Sequence, residues 1–424
     1  MLHRRSALRT LCYGLIGLCL TWLTSCGAPQ TDNSLEFWTM QLKPEFTEYF
    51  TELIANFEAE NPEITVRWED VPWNAMEAKI LTSVSAQTAP DVVNLNPKFA
   101  SQLATRNAWL DLNDALTPED QGEYLPKIWQ AGTLNDQAFG VPWYLTTQIT
   151  VYNEALLTEA GVASPPATYE ELARVARAVK DKTGKYAFFV TFVPEDSGEV
   201  LESLVKMGVE LVDEAGKAAF DSPAGLAAFE YWVSLYQDQL LPPEALTQGH
   251  RYAIDLYQAG ETALLATSAQ FLGAIETNAP EVAAVSAAAP QITGETGKKN
   301  VAVMNLVVPR DSDRPEDAVK FARYVTNSDN QLAFAQAANV LPSTQPALQK
   351  YIAFLSGKPD VTPLEQAIKV GAEQLPDAEV LIPPMDNLNL LQKAIYENLQ
   401  AAMLGQKTVE VALRDAAAQF NAET

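Results

Sequence analysis

An alternation of strand-like and helix-like segments, beginning at Leu35, is the feature that most constrains the fold. Apolar residues recur at helical spacing over 46–57 and again over 76–84, and Asn61-Pro62 ends the first of these helices. The segments 35–38, 64–68 and 91–95 have the apolar or alternating pattern of strands with a buried face. Strand, helix, strand, helix, strand is typical of parallel β-α-β units, so the chain is predicted to be α/β.

Later segments continue the pattern. The stretch 139–152 is a long extended run of mixed polarity that could cross between two lobes, and 186–192 predicts a buried strand. Thr168 and Glu171 form a capping-box pattern, in which each side chain satisfies a free amide at a helix start. Ser222 followed by Pro223 predicts another helix start. With 424 residues, two or more domains are expected.

The amino terminus has the pattern of an export signal. Three arginines, at positions 4, 5 and 9, precede a short apolar run over 11–23, which is brief for a membrane span. Leu23-Thr24-Ser25-Cys26-Gly27 follows and resembles the bacterial lipobox, in which the cysteine receives a lipid. We therefore expect a signal peptide over 1–25, a lipid on Cys26 and a flexible tether over 26–34. An ordinary signal peptide that carries a cysteine is the alternative, and Arg4-Arg5 leaves the twin-arginine export route open.

Cysteine usage and charge narrow the class of protein. The cysteines are Cys12, Cys19 and Cys26, so cleavage of the leader would leave Cys26 alone and no disulfide. The formal charge is −25, and it becomes −28 once the leader takes three arginines away. Nucleic acid is not expected as a partner, because it is bound through clustered basic residues. Acidity is consistent with a solvated surface and leaves a cationic ligand open.

Catalytic patterns are scarce in the chain. After the leader, His250 is the only histidine, which argues against a histidine-based zinc cluster or catalytic triad. Ser268 lacks the glycines of a nucleophile elbow, and there is no phosphate-binding or dinucleotide-binding glycine loop. Carboxylate pairs such as Glu69-Asp70 and Glu195-Asp196 could serve a glycosidase, but 54 acidic residues make chance pairs common. We expect no enzyme activity, no cofactor and no metal.

Aromatic and amide side chains that could bind a ligand fall at strand ends and in loops. Aromatic rings stack on the C–H faces of sugars, and amides beside them can exchange hydrogen bonds with hydroxyl groups. The aromatic candidates are Trp38, Trp73, Trp143, Tyr144, Phe192 and Phe271, and the amide candidates are Asn94, Asn96, Gln148 and Asn387. This combination predicts a carbohydrate site.

Several local motifs carry a family resemblance over nearly the whole chain. They are Phe57–Val66, Ala89–Val93, Phe139–Trp143 with its continuation through Val151–Leu157 and Pro166–Leu172, and Tyr257–Leu264. With these motifs, the chain resembles the extracellular solute-binding proteins (family 1) of carbohydrate ABC importers, the group that includes maltose-binding and trehalose-binding proteins.

The resemblance implies a type II periplasmic-binding-protein fold. In that fold, two α/β lobes, each with a mostly parallel sheet flanked by helices, are joined by a hinge of several crossings and close over a ligand. The first lobe would comprise 35–146 plus 301–345, and the second 147–300 plus 346–424. Crossings would then fall near Leu145, Asn300 and Leu341.

The same resemblance implies positions for the cleft residues. It places Trp38, Asn94, Asn96, Trp143, Tyr144 and Gln148 on strand-end loops that face the cleft, and the other lobe would contribute Phe192, Gln270, Phe271, Met385, Asp386 and Asn387. Where the maltose binders have an aromatic residue after the 90–93 strand, this chain has Asn94-Leu95-Asn96. A short polar solute such as trehalose, sucrose or glucosylglycerol therefore fits better than a maltodextrin. A glycerol phosphodiester fits less well, because few arginines lie near these loops.

The expected function is a receptor without enzyme activity, anchored outside the cytoplasm at the periplasmic face of the membrane. It would capture a small sugar and deliver it to the transmembrane permease of an ABC transporter. We expect a monomer. A lipid-anchored glycosidase and a receptor for a cationic solute such as a polyamine remain the alternatives.

Overall fold

The computed structural model describes residues 34–194, 196–382, 385 and 387–423. The predicted signal peptide, Cys26 and nearly all of the predicted tether lie outside the described residues, as does Asp386. Within these ranges, no helix combines the length and apolar character needed to cross a bilayer.

Twelve strands occur in the described ranges. They are β1 (Leu35–Met40), β2 (Val66–Val71), β3 (Val92–Leu95), β4 (Thr133–Leu134), β5 (Gln137–Ala138), β6 (Val141–Thr147), β7 (Ile149–Asn153), β8 (Leu264–Thr267), β9 (Ser286–Pro290), β10 (Lys299–Val307), β11 (Leu341–Pro342) and β12 (Ala378–Glu379).

The helices of these ranges surround the strands. They are α1 (Thr47–Glu60), α2 (Trp73–Ser85), α3 (Pro97–Ala104), α4 (Leu112–Ala115), α5 (Pro118–Gly122), α6 (Pro126–Ala131), α7 (Glu154–Glu159), α8 (Tyr169–Thr183), α9 (Glu199–Lys206), α10 (Pro223–Gln237), α11 (Arg251–Gln258), α12 (Gln270–Asn278), α13 (Pro280–Ala283), α14 (Pro315–Val325), α15 (Ser328–Ala338), α16 (Gln345–Ser356), α17 (Pro363–Gln374), α18 (Leu388–Met403) and α19 (Val409–Glu423). Two short 3₁₀ turns lie at Pro243–Leu246 and Leu375–Asp377.

The large sheet has the order β11-β6-β10-β3-β1-β2, and β12 pairs with the start of β10. β1 pairs in parallel with both β2 and β3, so the β-α-β units predicted at the start of the chain are confirmed. β10 runs antiparallel to β3 and β6, which makes this sheet mixed rather than parallel throughout. Long-range pairings such as these come from the path of the returning chain and leave no local sequence pattern.

The small sheet has the order β8-β7-β9, and both of its pairings are antiparallel. The expectation of a mostly parallel sheet in each lobe is therefore wrong for this one. β7 follows β6 after one residue and runs away from the large sheet. β8 and β9 lie on the two sides of β7 and run back toward the large sheet. The segment 186–192, predicted as a strand, is buried but joins this region through a single parallel bridge from Tyr186 to Thr262.

Helix starts follow the sequence closely. The Thr168 side chain accepts from the Glu171 amide at 3.2 Å, while the Glu171 carboxylate accepts from the Ala167 amide at 2.8 Å, one residue before the predicted partner. Ser222 caps α10 by accepting from the Gly225 amide, with Pro223 in the first turn, as predicted.

Amide side chains fasten the segments that pass between the two sheets. Gln148 is the one residue between β6 and β7, and its carbonyl oxygen accepts from the side chains of Gln291 and Gln374, each at 3.4 Å. Gln291, just after β9, also bonds the backbone of Asn300 in both directions, at 2.7 and 3.1 Å. Buried amides need these partners, so the passages between the sheets are joined in a defined geometry.

Candidate functional site

Side chains that could meet a solute lie at the carboxyl edge of the large sheet. Because β1 and β3 are parallel and in register, the residues that follow them, Gln41 and Asn96, emerge at the same edge. Gln41 adopts a left-handed backbone conformation with φ of 53°, and its side-chain oxygen accepts from the Trp73 amide at 3.4 Å. Trp73 begins α2 and is 42% exposed. Crevices beyond the carboxyl ends of strands are the usual ligand sites of α/β folds.

Asp70 holds the turn that carries Gln41. Its carboxylate accepts from the Thr39 hydroxyl at 2.6 Å, the Leu42 amide at 2.9 Å and the Lys43 amide at 3.0 Å. The neighbouring Glu69 forms an ion pair with Lys79. Both members of this carboxylate pair are thus engaged in positioning the edge, which disfavours the acid-and-base role considered for them.

The carboxyl ends of β8 and β9 lie beside the start of β7, next to the end of β6. A narrow crevice joins the end of β6, at Leu145–Thr147, to Ser268 and Ala269, which directly follow β8. Tyr186 and Ala187 bond to residues 261–264 at the start of β8, and the buried segment that follows leads to Pro194. The edges of the two sheets at which β6, β8 and β9 end therefore lie near the passages between them.

A groove opens at this edge between the amino ends of α9 and α18, and we call it the α9–α18 groove. Its volume is about 640 Å³, which lies within the usual range of small-molecule sites. It combines carboxylates, amides, one lysine and aliphatic side chains. The lining residues are Pro194, Asp196, Gly198, Leu201, Glu202, Ile382, Leu388, Asn389, Leu390, Gln392 and Lys393.

The loop on one side of the groove is held by α18. The carbonyl oxygen of Ser197 accepts from the Tyr396 hydroxyl at 2.6 Å and from the Gln392 side chain at 2.9 Å. Asp196 accepts from the His250 backbone amide at 2.6 Å, which joins the same loop to the start of α11. The groove is therefore preorganised by bonds from two helices.

Ionisable groups of α9 have altered proton affinities. Burial, opposed by the charge of Lys206, raises the pKa of Glu202 to about 7. Burial also lowers the pKa of Lys206, which is 2% exposed and donates from Nζ to the Gln148 side chain at 3.0 Å. The hydrogen bond from His250 Nδ1 to Glu199, 3.1 Å long, raises the pKa of His250.

Four of the predicted site residues lie inside the core, and their assignment to ligand contact needs correction. Trp143, Phe192 and Asn94 have no exposed surface, and Trp38 is 5% exposed. Trp38, Asn94 and Trp143 lie on strands with their side chains turned into the protein, and Phe192 lies in a buried segment outside the strands. Trp143 stacks on Phe334 at 4.9 Å between ring centres. In this conformation, no ring face of these residues is left for a sugar.

The other predicted site residues within the described ranges are at least partly exposed, but they do not all lie in one site. Asn96 caps α3 by accepting from the Phe99 amide, and Gln148 is bonded to Lys206. Gln270 is exposed at the start of α12. The remaining members are half-buried or, for Trp73, exposed: Trp73, Tyr144, Phe271, Met385 and Asn387. Asn387 directly precedes the three residues 388–390 that line the groove.

Several groove residues were missed by the sequence reasoning. The missed residues lie on helices, where a polar side chain is usually solvated and so does not predict a binding site. They are Glu202, Asn389, Gln392 and Lys393. Asp196 was considered only as half of a possible catalytic pair. A usable signal was the sequence Pro194-Glu195-Asp196-Ser197-Gly198, because turn residues that follow a buried strand and precede a helix mark a crevice edge.

Metal ligands do not cluster in the described part of the chain. No group of three or more histidine, cysteine, aspartate or glutamate side chains there is arranged to hold a metal ion.

Comparison with known sequences identifies relatives over most of the chain. A family model described as bacterial extracellular solute-binding protein matches residues 43–332. A candidate binding protein of Brucella abortus is 24% identical over 378 residues, which are 88% of this chain and 89% of that protein. The diacetylchitobiose binding protein of Streptomyces coelicolor is 22% identical and aligns over 83% of this chain and 87% of its own.

Solved structures match most of the chain. A candidate oligosaccharide periplasmic-binding protein from Synechococcus sp. MITs9220, in complex with zinc, is 44% identical, with 92% of this chain and 98% of that chain covered and a TM-score of 0.84. The cyclic α-maltosyl-1,6-maltose binding protein of Arthrobacter globiformis has a TM-score of 0.79 at 20% identity, over 92% of this chain and 98% of that one. At that identity, the second likeness concerns the fold alone.

Proposed function

The chain belongs to the family of bacterial extracellular solute-binding proteins, and from this premise we propose that it captures a small neutral sugar in the α9–α18 groove and delivers it to an ABC permease. The predicted type II fold is confirmed by the structural relatives. Members of the family are binding proteins, so the chain is not an enzyme and the glycosidase alternative is set aside.

The polar composition of the α9–α18 groove carries the proposal. Asp196 and Glu202 can accept hydrogen bonds from hydroxyl groups, Lys393 can donate, and Asn389 and Gln392 can do both. Leucine side chains beside them offer apolar contact for C–H faces. A volume of about 640 Å³ has room for a disaccharide-sized solute.

The same composition argues against a cationic solute. Receptors for organic cations surround the charge with aromatic rings and carboxylates. None of the described residues that line the α9–α18 groove is aromatic, and Lys393 places a positive charge there. The groove therefore favours a neutral, hydroxyl-rich solute over a polyamine.

The relatives' names support the carbohydrate class. They include a diacetylchitobiose binding protein and a candidate oligosaccharide periplasmic-binding protein. Zinc appears with one relative, but the described part of this chain offers no cluster of metal ligands. We propose a disaccharide or a glucosylglycerol-type solute for this chain and do not propose zinc.

Closure of two lobes over the groove is part of the proposal. We assign 35–146 plus 301–345 to the first lobe and 147–300 plus 346–424 to the second. Support comes from β12, in the last segment, which pairs with Lys299 and Asn300 just before the proposed boundary. Contacts made only when both lobes touch the solute would favour the closed state.

Attachment to the membrane belongs to the proposal as well. The family is extracellular, which supports a location outside the cytoplasm. The lipid on Cys26 rests on the leader and lipobox pattern, and we propose that the tether over 26–34 keeps a monomeric receptor near its permease. Confinement to the membrane surface raises the effective concentration of the receptor at the permease.

A thermal-shift screen tests the proposed ligand class. The chain from residue 27 onward is heated with neutral sugars, polyols, glycerol phosphates or polyamines, and the unfolding midpoint is recorded. A ligand at a thousand times its dissociation constant adds about 4 kcal/mol to stability. We expect a rise with a neutral sugar. A rise with a polyamine alone would overturn the proposal.

A further inference from the structure

Helix α9 connects the α9–α18 groove to the passages between the two sheets. Leu201 and Glu202, in its middle, line the groove. Lys206, its last residue, is buried and donates from Nζ to the side chain of Gln148, which lies between β6 and β7. One short helix therefore touches both the proposed solute and the first passage between the sheets.

Glu202 also lies near the second passage. The Asn300 side chain is close enough to its carboxyl group to oppose the rise in pKa that burial causes. Asn300 is itself held at 2.7 Å by its backbone amide to Gln291, and its side-chain oxygen accepts from the Leu381 amide at 3.2 Å. The carboxylate therefore lies close to the start of β10 and also lines the groove.

Charged groups of both signs surround Glu202. From its own helix come Glu199 and Lys206, from the start of α11 His250, and from the facing wall of the groove Asp196 and Lys393. The phenols of Tyr169 and Tyr396 also lie within electrostatic range. Burial outweighs the favourable charges and raises the pKa of this carboxyl group to about 7.

We propose that Glu202 is a specificity-determining residue whose ionised carboxylate accepts hydrogen bonds from the sugar hydroxyls, so that protonation of this one group weakens capture. The inference rests on the proposed function of the groove. An ionised carboxylate offers acceptors only, whereas the protonated acid replaces one of them with a donor. Hydroxyl donors stabilise the charged form, so binding releases a proton near neutral pH, and affinity rises with pH by up to about tenfold per pH unit.

Titration calorimetry on the full chain tests this, with trehalose, sucrose and glucosylglycerol as probes at about pH 5.5 and about pH 8. We expect the wild-type protein to bind one probe more tightly at the higher pH. Glu202→Gln should bind more weakly than wild type at the higher pH and lose the pH dependence. Glu230→Gln, on an exposed position of α10, is the matched control and should behave as wild type.

The hydrogen bond to Glu199 raises the pKa of His250, which lies near Glu202, so His250→Gln separates the two groups and should retain the pH dependence. A wild-type affinity that does not change with pH, or a Glu202→Gln variant with the wild-type slope, overturns the inference. If Glu202→Gln does not fold, the wild-type protein provides a second test. Its binding enthalpy is measured in buffers of different ionisation enthalpy, and the dependence gives the number of protons released on binding. Proton release on binding supports the inference, and its absence overturns it. Failure of every sugar at both pH values would instead refute the proposed function, and with it this inference.

Discussion

Tryptophan residues of this chain differ in role because strands and helices turn them in different directions. Trp143 lies on the side of β6 that packs against α15, within an aromatic cluster with Phe334 and Phe50. Trp73 is the first residue of α2 and leaves 42% of its surface open. Burial rather than residue type decides which of the two can meet a solute.

Trp143→Ala should lower the free energy of unfolding by about 3–5 kcal/mol, because it removes a large ring from a filled core. Chemical denaturation measures the loss. Trp73→Ala is the matched control and should change stability by less than about 1 kcal/mol. Equal effects of the two substitutions would contradict the burial described for Trp143.

The hydrogen bond between His250 and Glu199 should be detectable as a raised pKa of His250. The sequence has two histidines, His3 and His250, so a chain that begins at residue 27 contains His250 alone and its ring gives one set of NMR signals. The hydrogen bond to Glu199 favours the protonated ring, so its pKa should exceed 6.5 and fall in Glu199→Gln. Stability from this pair is complete below pH 6.5 and is lost as the pH rises through the raised pKa. A pKa at or below 6.5 would contradict the contact.

At this scale, the sequence predicted amides near the α9–α18 groove but not its carboxylates, its lysine or the lack of aromatic rings among its described lining residues. Amides near 387 and turn residues after 192 do lie beside the groove. Phe192 and Asn94 were misplaced because each lies in a segment whose successive residues are all buried, so position along the segment does not indicate exposure. Glu202 could not be selected, since its burial depends on α18 and β10, far away in the chain.

At the scale of elements, local patterns were sufficient for helices and for the first three strands. Caps at Thr168 and Ser222 mark helix starts because the unbonded amides of a first turn need acceptors nearby. Strand direction in the small sheet was beyond local reasoning. β7 meets partners more than a hundred residues away, and no neighbouring residue reports which way they run.

Helix α17 approaches β6 through a glycine. A Cβ atom at Gly371 would lie 2.7 Å from Thr147 Oγ1, closer than atoms can approach. Gly371→Ala should therefore lower the unfolding free energy by about 1–3 kcal/mol. Gly273→Ala, in α12, is the matched control: its nearest neighbour would be Leu364 at 3.8 Å, so the substitution should be neutral or stabilising by up to about 1 kcal/mol. A stabilised Gly371→Ala variant would show that the helix and strand are less closely packed.

At the scale of the whole molecule, the small sheet begins where β6 of the large sheet ends, and the buried side chains of Gln291 and Gln374 both donate to the Gln148 carbonyl oxygen between them. The α9–α18 groove has walls preorganised by hydrogen bonds, which suits it to hold a solute. Recognition of the family from ordered motifs was possible because those motifs build this common architecture.

Calorimetric titration of Asn389→Ala tests the central claim, capture of a sugar in the α9–α18 groove, most directly. Asn389 is exposed in the groove wall, so its loss should leave the unfolding midpoint unchanged. Asn278→Ala, at the exposed end of α12, is the matched control and should bind as wild type. We expect the sugar that stabilises the wild-type protein to bind Asn389→Ala about tenfold more weakly, which corresponds to one lost hydrogen bond of about 1.4 kcal/mol. Wild-type affinity in Asn389→Ala would place the sugar site elsewhere.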